Sequence, residues 1–173
     1  NNNIKGCILP WIHMFGTIDG NYKLCCFSEY MKDTKVLGSS DQPLLEVWNG
    51  TNYKSVRQSF LEGKIPLECK QACYDKENAG ATSSRQSNNT KYSKYSVVQD
   101  HTSEDGSIKN NPIYLDIRFG NLCNFKCRMC GSGSSTSWYK ESPYNNNKAI
   151  DNYTNNVIFW ESLSDIASSI QDV

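Results

Sequence analysis

The stretch from Ile113 to Cys130, IYLDIRFGNLCNFKCRMC, decides how the chain is interpreted. Its first eight residues alternate apolar side chains with Tyr, Asp, Arg and Gly, and this period of two predicts a half-buried β-strand. Its second part is a Cys-x3-Cys-x2-Cys run formed by Cys123, Cys127 and Cys130. The stretch therefore predicts a strand that delivers three thiols to one loop.

These three cysteines form an incomplete ligand set, because no fourth cysteine lies near them in the sequence. Soft thiolates select iron-sulfur clusters or zinc, and closed structural sites of either kind usually take four protein ligands. Three thiolates leave one iron of a cluster open, which is what a reactive cluster needs. The alternative is a zinc site completed by a distant residue, for which His101 is the nearest candidate.

A strand, a Cys-x3-Cys-x2-Cys loop and a following Gly/Ser-rich turn resemble the first βα unit of the radical S-adenosylmethionine (SAM) superfamily. The resemblance implies that Cys123, Cys127 and Cys130 ligate a [4Fe-4S] cluster and that SAM binds its fourth iron. It also implies reductive cleavage of SAM to a 5′-deoxyadenosyl radical, which abstracts hydrogen from the substrate. Met129 occupies a position that is often aromatic in the family, and by the same resemblance it packs near the adenine of SAM.

The resemblance also implies the start of an incomplete barrel. A radical SAM (β/α)6 partial barrel has six βα units, and residues 112–173 hold the first, with a helix predicted from about Ser137 and an amphipathic helix near the end. If the apolar side of the strand faces the surrounding helices, Asp116 and Arg118 point into the barrel, and the opposite assignment stays open. We expect the chain to be a fragment that lacks the Gly-Gly-Glu strand end of the family and binds SAM weakly or not at all by itself.

Patterns nearer the N-terminus predict a hairpin and two helices. Strand-like residues on both sides of a central Asp-Gly pair predict a β-hairpin over residues 12–26. Asp41 is the predicted N-cap of a short helix that starts near Leu44. A second helix is predicted before Gly63 from apolar residues at helical spacing, namely Tyr53, Val56, Phe60 and Leu61.

Four other cysteines resemble an auxiliary-cluster motif. Cys7, twelve residues, a glycine, four residues and Cys25 resemble the first part of the motif of the SPASM and shorter twitch domains that accompany radical SAM enzymes. Cys69 and Cys73 supply two further thiolates, and their spacing of four places both on one face of a helix. The resemblance implies that these four residues hold a second, auxiliary [4Fe-4S] cluster that relays electrons or contacts substrate.

Two alternatives stay open at this auxiliary site. Cys26 can replace Cys25 as a ligand, but adjacent strand residues point to opposite faces, so only one of the two reaches a common site. We expect Cys25 because it fits the glycine spacing. A structural zinc ion can also bind the same four cysteines with similar geometry.

These parts together predict the fold class and the domains. Residues 1–80 are predicted to form an α+β, cysteine-rich, twitch/SPASM-like domain made of a β-hairpin plus helices. Residues 81–111, rich in Ser, Asn, Gly and charge, are predicted to be a linker. Residues 112–173 are predicted to start the truncated radical SAM core. In most of the family the auxiliary domain follows the barrel, whereas here it precedes it.

Composition limits the partners. Eighteen basic and eighteen acidic residues cancel, so nothing favours nucleic acid, an anionic membrane or an acidic substrate. No apolar run approaches the roughly 20 residues of a membrane span and no secretory signal opens the sequence, so a cytoplasmic protein is expected. By the resemblance, the partners are SAM, a ferredoxin- or flavodoxin-like electron donor and a peptide or other macromolecular substrate. The second hypothesis is a non-catalytic structural or binding module stapled by zinc or clusters.

Overall fold

A computed structural model describes residues 4–29, 31, 34–141 and 148–173. The first three residues of the predicted N-terminal domain and residues 142–147 of the predicted core lie outside this part. The strands are β1 (His13–Gly16), β2 (Asn21–Lys23), β3 (Gly38–Ser39) and β4 (Tyr114–Ile117).

Short helices surround these strands. They are α1 (Leu9–Ile12), α2 (Cys26–Glu29), α3 (Leu44–Trp48), α4 (Thr51–Leu61), α5 (Leu67–Cys69), α6 (Asp75–Asn78), α7 (Ser84–Lys91), α8 (Val97–Asp100) and α9 (Val157–Ile166). A π-helical turn (Lys70–Tyr74) joins α5 to α6, and 3₁₀ turns span Ser93–Tyr95, Thr136–Trp138 and Ala167–Ser169. No helix in the described ranges is long and apolar enough to cross a bilayer.

The strands pair in the order β3-β2-β1-β4. β1 and β2 are the antiparallel arms of the predicted hairpin, which is confirmed. Gly20 ends the turn with a φ of +75°, a left-handed conformation that favours glycine. β2 stops at Lys23, earlier than predicted, because the chain turns into α2 at Cys26.

β4 pairs with β1 in parallel register, with His13 opposite Tyr114 and Gly16 opposite Ile117. The predicted strand before the cysteine run is therefore confirmed, and it belongs to the same sheet as the hairpin. This pairing joins the predicted N-terminal domain directly to the predicted radical SAM segment.

The alternation predicted for β4 is present. Leu115 is buried in the core, and Ile113 and Ile117 pack against the same apolar cluster. Asp116 and Arg118 therefore lie on the opposite face of the sheet. This agrees with the assignment in which the apolar side of the strand faces the helices. That the face with Asp116 and Arg118 lines a barrel interior stays a prediction.

After α9 the chain returns to the free edge of β4. The backbone N–H of Leu115 donates to the carbonyl of Asp172 at 3.0 Å, and that of Gln171 donates to the carbonyl of Ile113 at 2.7 Å. Tyr114 and Asp172 form a parallel bridge. β4, α9 and this returning segment thus form a β-α-β arrangement, in which a helix makes the crossover that parallel pairing requires.

The helices and the inner face of the sheet share an apolar core. Arg57 is buried within it, with its guanidinium 4.4 Å from the Trp48 ring and its Nε donating to the carbonyl of Pro10 at 2.8 Å. The largest fully buried side chains include Trp11, Trp48, Tyr22, Tyr53, Tyr153, Phe15 and Phe159.

Two helix predictions need correction and two are confirmed, one of them the amphipathic helix near the end, which is α9. α3 begins at Leu44 as expected, but Pro43 is its N-cap and no side chain caps it, so the prediction for Asp41 is wrong. The helix expected from about Ser137 is only a 3₁₀ turn, because its hydroxyl groups bind the cysteine loop instead. α4 ends before Gly63, whose φ is +76°, as predicted.

The segment 81–111 differs from the loosely packed linker that its composition predicts. It contains α7 and α8, and it contributes Tyr92, Val98 and Ile108 to the core. The cause is local, since Ser83 and Gln86 form a reciprocal capping box that starts α7 in a Ser- and Asn-rich sequence. The division into separate domains stays a prediction.

Candidate metal centres

Four cysteines line one cavity near the start of β1. We call it the four-thiol cavity, and its cysteines are Cys7, Cys25, Cys69 and Cys73. Cys25 is half-buried and the other three are buried. The rest of the lining is Leu9, Leu24, Phe27, Glu68, Ala72, Ser84 and Arg85.

Local backbone features bring these thiols together. Gly6 has a φ of +67°, and a Cβ at this position would lie 2.1 Å from the Phe60 ring, so only glycine places Cys7 against the core here. Cys69 ends α5, and Cys73 lies in the π-helical turn that follows. Such turns are frequent at functional sites. The predicted one-sided placement of this pair agrees with the structure, since both thiols reach the cavity.

The structure separates Cys25 from Cys26. Cys25 lines the four-thiol cavity, where its carbonyl accepts from Ser28 Oγ at 2.6 Å. Cys26 begins α2 and lies near Asp116 and Arg118, on the outer face of the sheet, where the charges of both residues act on its pKa. The geometry therefore agrees with the prediction of Cys25 and leaves Cys26 outside the set.

Burial favours the neutral form of three cavity thiols, those of Cys7, Cys25 and Cys69. It raises the pKa of Cys7 to about 12 and that of Cys25 to about 11, and neighbouring thiols in the cavity add to both shifts. Burial also raises the pKa of Cys69. Thiolates are the metal-binding form, so a soft metal ion or cluster in the cavity would supply the positive charge that stabilises them. The donor set fits an iron-sulfur cluster or zinc.

The spacing of the cavity thiols distinguishes a single metal ion from a cluster. Within the part of the chain that the structure describes, no three His, Cys, Asp or Glu side chains stand close enough to hold one metal ion. In a [4Fe-4S] cluster each cysteine binds a different iron, so the ligands surround a volume. Four zinc ligands must all lie about 2.3 Å from one ion. A zinc ion in this cavity would require the thiols to move closer together.

The second candidate centre is the loop after β4. Its cysteines, called the loop cysteines, are Cys123, which is half-buried, and Cys127 and Cys130, which are exposed. Met129, the predicted contact of the SAM adenine, is 99% exposed. His101, the alternative zinc ligand, is exposed at the end of α8. The loop thus presents its thiols at the surface, at the carboxyl end of a parallel strand, where α/β proteins place their sites.

Hydroxyl groups hold this loop in place. Ser135 is buried, and its Oγ donates to the carbonyls of Cys123 at 3.1 Å and Phe125 at 2.7 Å. The hydroxyls of Thr136 and Ser137 also donate to the Cys123 carbonyl, at 3.2 and 2.8 Å. No sequence motif predicted a function for this Ser-Thr-Ser run. The sequence feature that could have indicated its role is the row of short hydroxyl residues just after the cysteines.

Asn121 secures the base of the loop. Its side chain is buried, donates to the carbonyl of Lys148 at 3.0 Å and accepts from the Ile150 N–H at 2.8 Å. The neighbouring Gly120 lies so close to this segment that a Cβ would be 2.2 Å from the carbonyl of Ile150. The region after β4 is therefore clamped to the segment that leads into α9.

A cleft opens beside the loop. Its lining includes Gly133 and Ser134 from the turn and Arg118, which directly follows β4. Arg118 forms an ion pair with Glu29 of α2. Burial raises the pKa of Asp116, and the nearby Arg118 opposes this shift. The two residues predicted to point toward substrate thus lie on the same face, and one of them reaches the cleft.

The two centres lie toward opposite ends of the sheet. Phe15 pairs with Lys23, so the antiparallel register brings Cys25 near the start of β1. The loop cysteines follow the other end of the parallel β4. Four strand residues span roughly 13 Å, so the sheet separates the two sets of thiols.

Comparison with known proteins gives one match. Residues 7–74 match the SPASM family, described as an iron-sulfur cluster-binding domain. The matched range contains all four cysteines of the four-thiol cavity and supports the predicted SPASM-like domain. No curated protein and no solved structure matches the chain.

Proposed function

We propose that this chain is part of a radical SAM enzyme, in which the loop cysteines hold the SAM-binding [4Fe-4S] cluster and the four-thiol cavity holds an auxiliary cluster. The observation that carries the proposal is the shared sheet. A hairpin within the SPASM match pairs with β4, and β4 leads directly into a three-cysteine loop. Domains of the SPASM type bind iron-sulfur clusters and are typical of radical SAM enzymes.

The chain's own residues define what each centre does. Three thiols on an exposed loop leave one coordination position for a ligand that approaches from solvent. When bound, the cluster supplies the electron for reductive cleavage of SAM. Ser135 fixes the carbonyl of Cys123 and so orients the loop. Met129 is free to cover an adenine ring, because nothing buries its side chain.

The buried centre has a different role. Its thiols lie in an apolar cavity away from the loop, so an auxiliary cluster there relays electrons or stabilises the hairpin and does not bind SAM. The partners proposed with this function are a ferredoxin- or flavodoxin-like reductant and a peptide or other macromolecular substrate. The cleft beside the loop, lined by Arg118 and Gly133, is where such a substrate would approach the cluster.

The test is anaerobic reconstitution of the full chain with iron and sulfide, followed by metal analysis and electron paramagnetic resonance of the reduced protein. We expect about eight irons per chain, from two four-iron clusters, and a spectrum that SAM perturbs only in large excess, since the chain by itself is expected to bind SAM weakly. Replacing the three loop cysteines with Ala should remove half of the iron and all of the SAM response. Cys26→Ala is the matched control and should keep both.

Other outcomes contradict the proposal. A colourless protein that binds only zinc would favour the structural module. Iron that binds only through the four-thiol cavity would remove the radical SAM assignment for this chain and leave a cluster-stapled domain.

A further inference from the structure

Arg85 brings a positive charge to the four-thiol cavity. It lies on α7, outside the 7–74 match, and lines the cavity together with the thiols. Its side chain is 19% exposed. Of the residues that line this cavity, Arg85 is the one with a cationic side chain. The segment that composition assigns to a linker thus contributes the charge.

The guanidinium is fixed in place. Its Nε and Nη2 donate to the two carboxylate oxygens of Glu77 at 2.9 and 2.5 Å, and its Nη1 donates to the carbonyl of Gly6 at 2.9 Å. Its Cζ lies 4.5 Å from the centre of the Tyr74 ring. Ser83 Oγ donates to the same carboxylate at 2.5 Å. A bidentate pair with a stacking contact holds an arginine in one orientation.

In the ion pair between Arg85 and Glu77, the cation is the partner that reaches the four-thiol cavity. Arg85 lines the cavity, whereas Glu77 does not. The negative charge of the Glu77 carboxylate partly offsets the positive charge of the guanidinium. The contact with Gly6 places the cation one residue from a cavity cysteine.

Nearby charge is one of the factors that set the reduction potential of an iron-sulfur cluster. Reduction adds negative charge to the cluster, and a fixed cation favours the reduced form. We propose that Arg85 tunes the auxiliary cluster by raising its reduction potential, and that Glu77 limits the rise. The inference rests on the cluster proposed for the four-thiol cavity. Arg85 acts on the cluster through its charge and is not a ligand.

The experiment uses the full chain with the three loop cysteines replaced by Ala, so that the remaining cluster is the one in the cavity. Its midpoint potential is measured by redox titration monitored by electron paramagnetic resonance. Arg85→Gln should favour the oxidised form about tenfold, which is a shift of about 59 mV to more negative potential for a one-electron couple. Glu77→Gln should shift the potential in the opposite direction, since it leaves the cation without its carboxylate.

Two further variants separate charge from structure. Arg85→Lys keeps the charge but loses the bidentate geometry, and its potential should stay closer to that of the parent than Arg85→Gln does. Lys54→Gln removes a cation that pairs with Asp105 away from the cavity lining, and it should leave the potential unchanged.

The outcomes are distinct. If the parent holds no iron, the proposed cluster is wrong. If the parent holds four irons but both Arg85→Gln and Glu77→Gln keep the midpoint potential of the parent, Arg85 has only a structural role and the inference is overturned. Should Arg85→Gln fail to fold, the direction of the Glu77→Gln shift decides: a positive shift supports the inference, and no shift or a negative one refutes it.

Discussion

His13 on β1 lies opposite Tyr114 on β4, and the two rings are in contact with centroids 4.3 Å apart. The contact crosses the seam between the hairpin that matches the SPASM domain and the strand that leads to the loop cysteines. One parallel pairing therefore links the two candidate centres, although the sequence places about a hundred residues between His13 and Tyr114.

The His13 ring makes stability dependent on pH. It is buried, both ring nitrogens lack a hydrogen-bond partner, and burial lowers its pKa to about 3 from an ordinary value of 6.5. A lowered folded-state pKa gives stability that is complete above pH 6.5 and lost as the pH falls toward 3. Because of His13, we expect the free energy of unfolding to fall by about 1.4 kcal/mol for each pH unit below 6.5.

His13→Phe tests this expectation, because it keeps the ring contact with Tyr114 and removes the titration. The His13 ring contacts Tyr114, and the Tyr53 hydroxyl donates to the main-chain carbonyl of His13 at 3.3 Å. Urea unfolding at pH 7, 6 and 5 should show a smaller acid loss than in the unchanged chain. The exposed His101→Gln variant is the control. Parallel curves for His13→Phe and the unchanged chain would refute the prediction.

Cys25 and Cys26 should behave differently although they are neighbours. Cys25→Ser removes a thiol from the four-thiol cavity and should lower the bound iron by about four per chain, the content of one cluster. Cys26→Ser changes a thiol on the opposite face and should leave the iron content unchanged. Iron analysis of the reconstituted proteins checks both. Equal losses in the two variants would show that the hairpin does not present Cys25 alone.

Ser135 should matter for the loop cluster. Ser135→Ala leaves the carbonyl of Phe125 without its hydroxyl partner and weakens the clamp on Cys123, which keeps its bonds from Thr136 and Ser137. The loss of one such hydrogen bond typically costs about 0.5–1.5 kcal/mol. We expect the SAM-dependent part of the resonance spectrum to fall while the auxiliary signal stays. Ser164→Ala, at an exposed position of α9, is the control. A spectrum in which both variants equal the parent would contradict this role of Ser135.

Gly120 should not tolerate a side chain. The Cβ of Gly120→Ala would lie 2.2 Å from a backbone carbonyl, that of Ile150, which cannot yield as a flexible side chain does. Such overpacking typically costs about 1–3 kcal/mol, and the unfolding midpoint in urea should fall accordingly. At Gly131 a Cβ meets nothing within 4 Å, so Gly131→Ala is the matched control. The prediction fails if both alanine variants unfold at the same urea concentration.

Local patterns predicted much of the chain correctly. Sequence patterns predicted the hairpin, β4 and α4. A hydrophobic period of two or 3.6 residues, or a glycine at a turn or helix end, is a property of a few adjacent residues. The choice of Cys25 over Cys26 as a ligand rested on the glycine spacing of the auxiliary-cluster motif, and it stays a prediction. The wrong predictions arose where a local signal competed with tertiary contacts, as at Ser137, whose hydroxyl binds the carbonyl of Cys123 instead of starting a helix.

The sequence by itself determined which residue types could form each centre and which elements carry them, because cysteine spacing and hydrophobic period are encoded in neighbouring positions. Only the tertiary structure decided that β4 joins the hairpin sheet, that 81–111 packs onto the core, and that Arg85 reaches the four-thiol cavity. These contacts join residues far apart in the chain. Their formation depends on the burial and hydrogen bonding of the whole molecule, which no short stretch of sequence specifies.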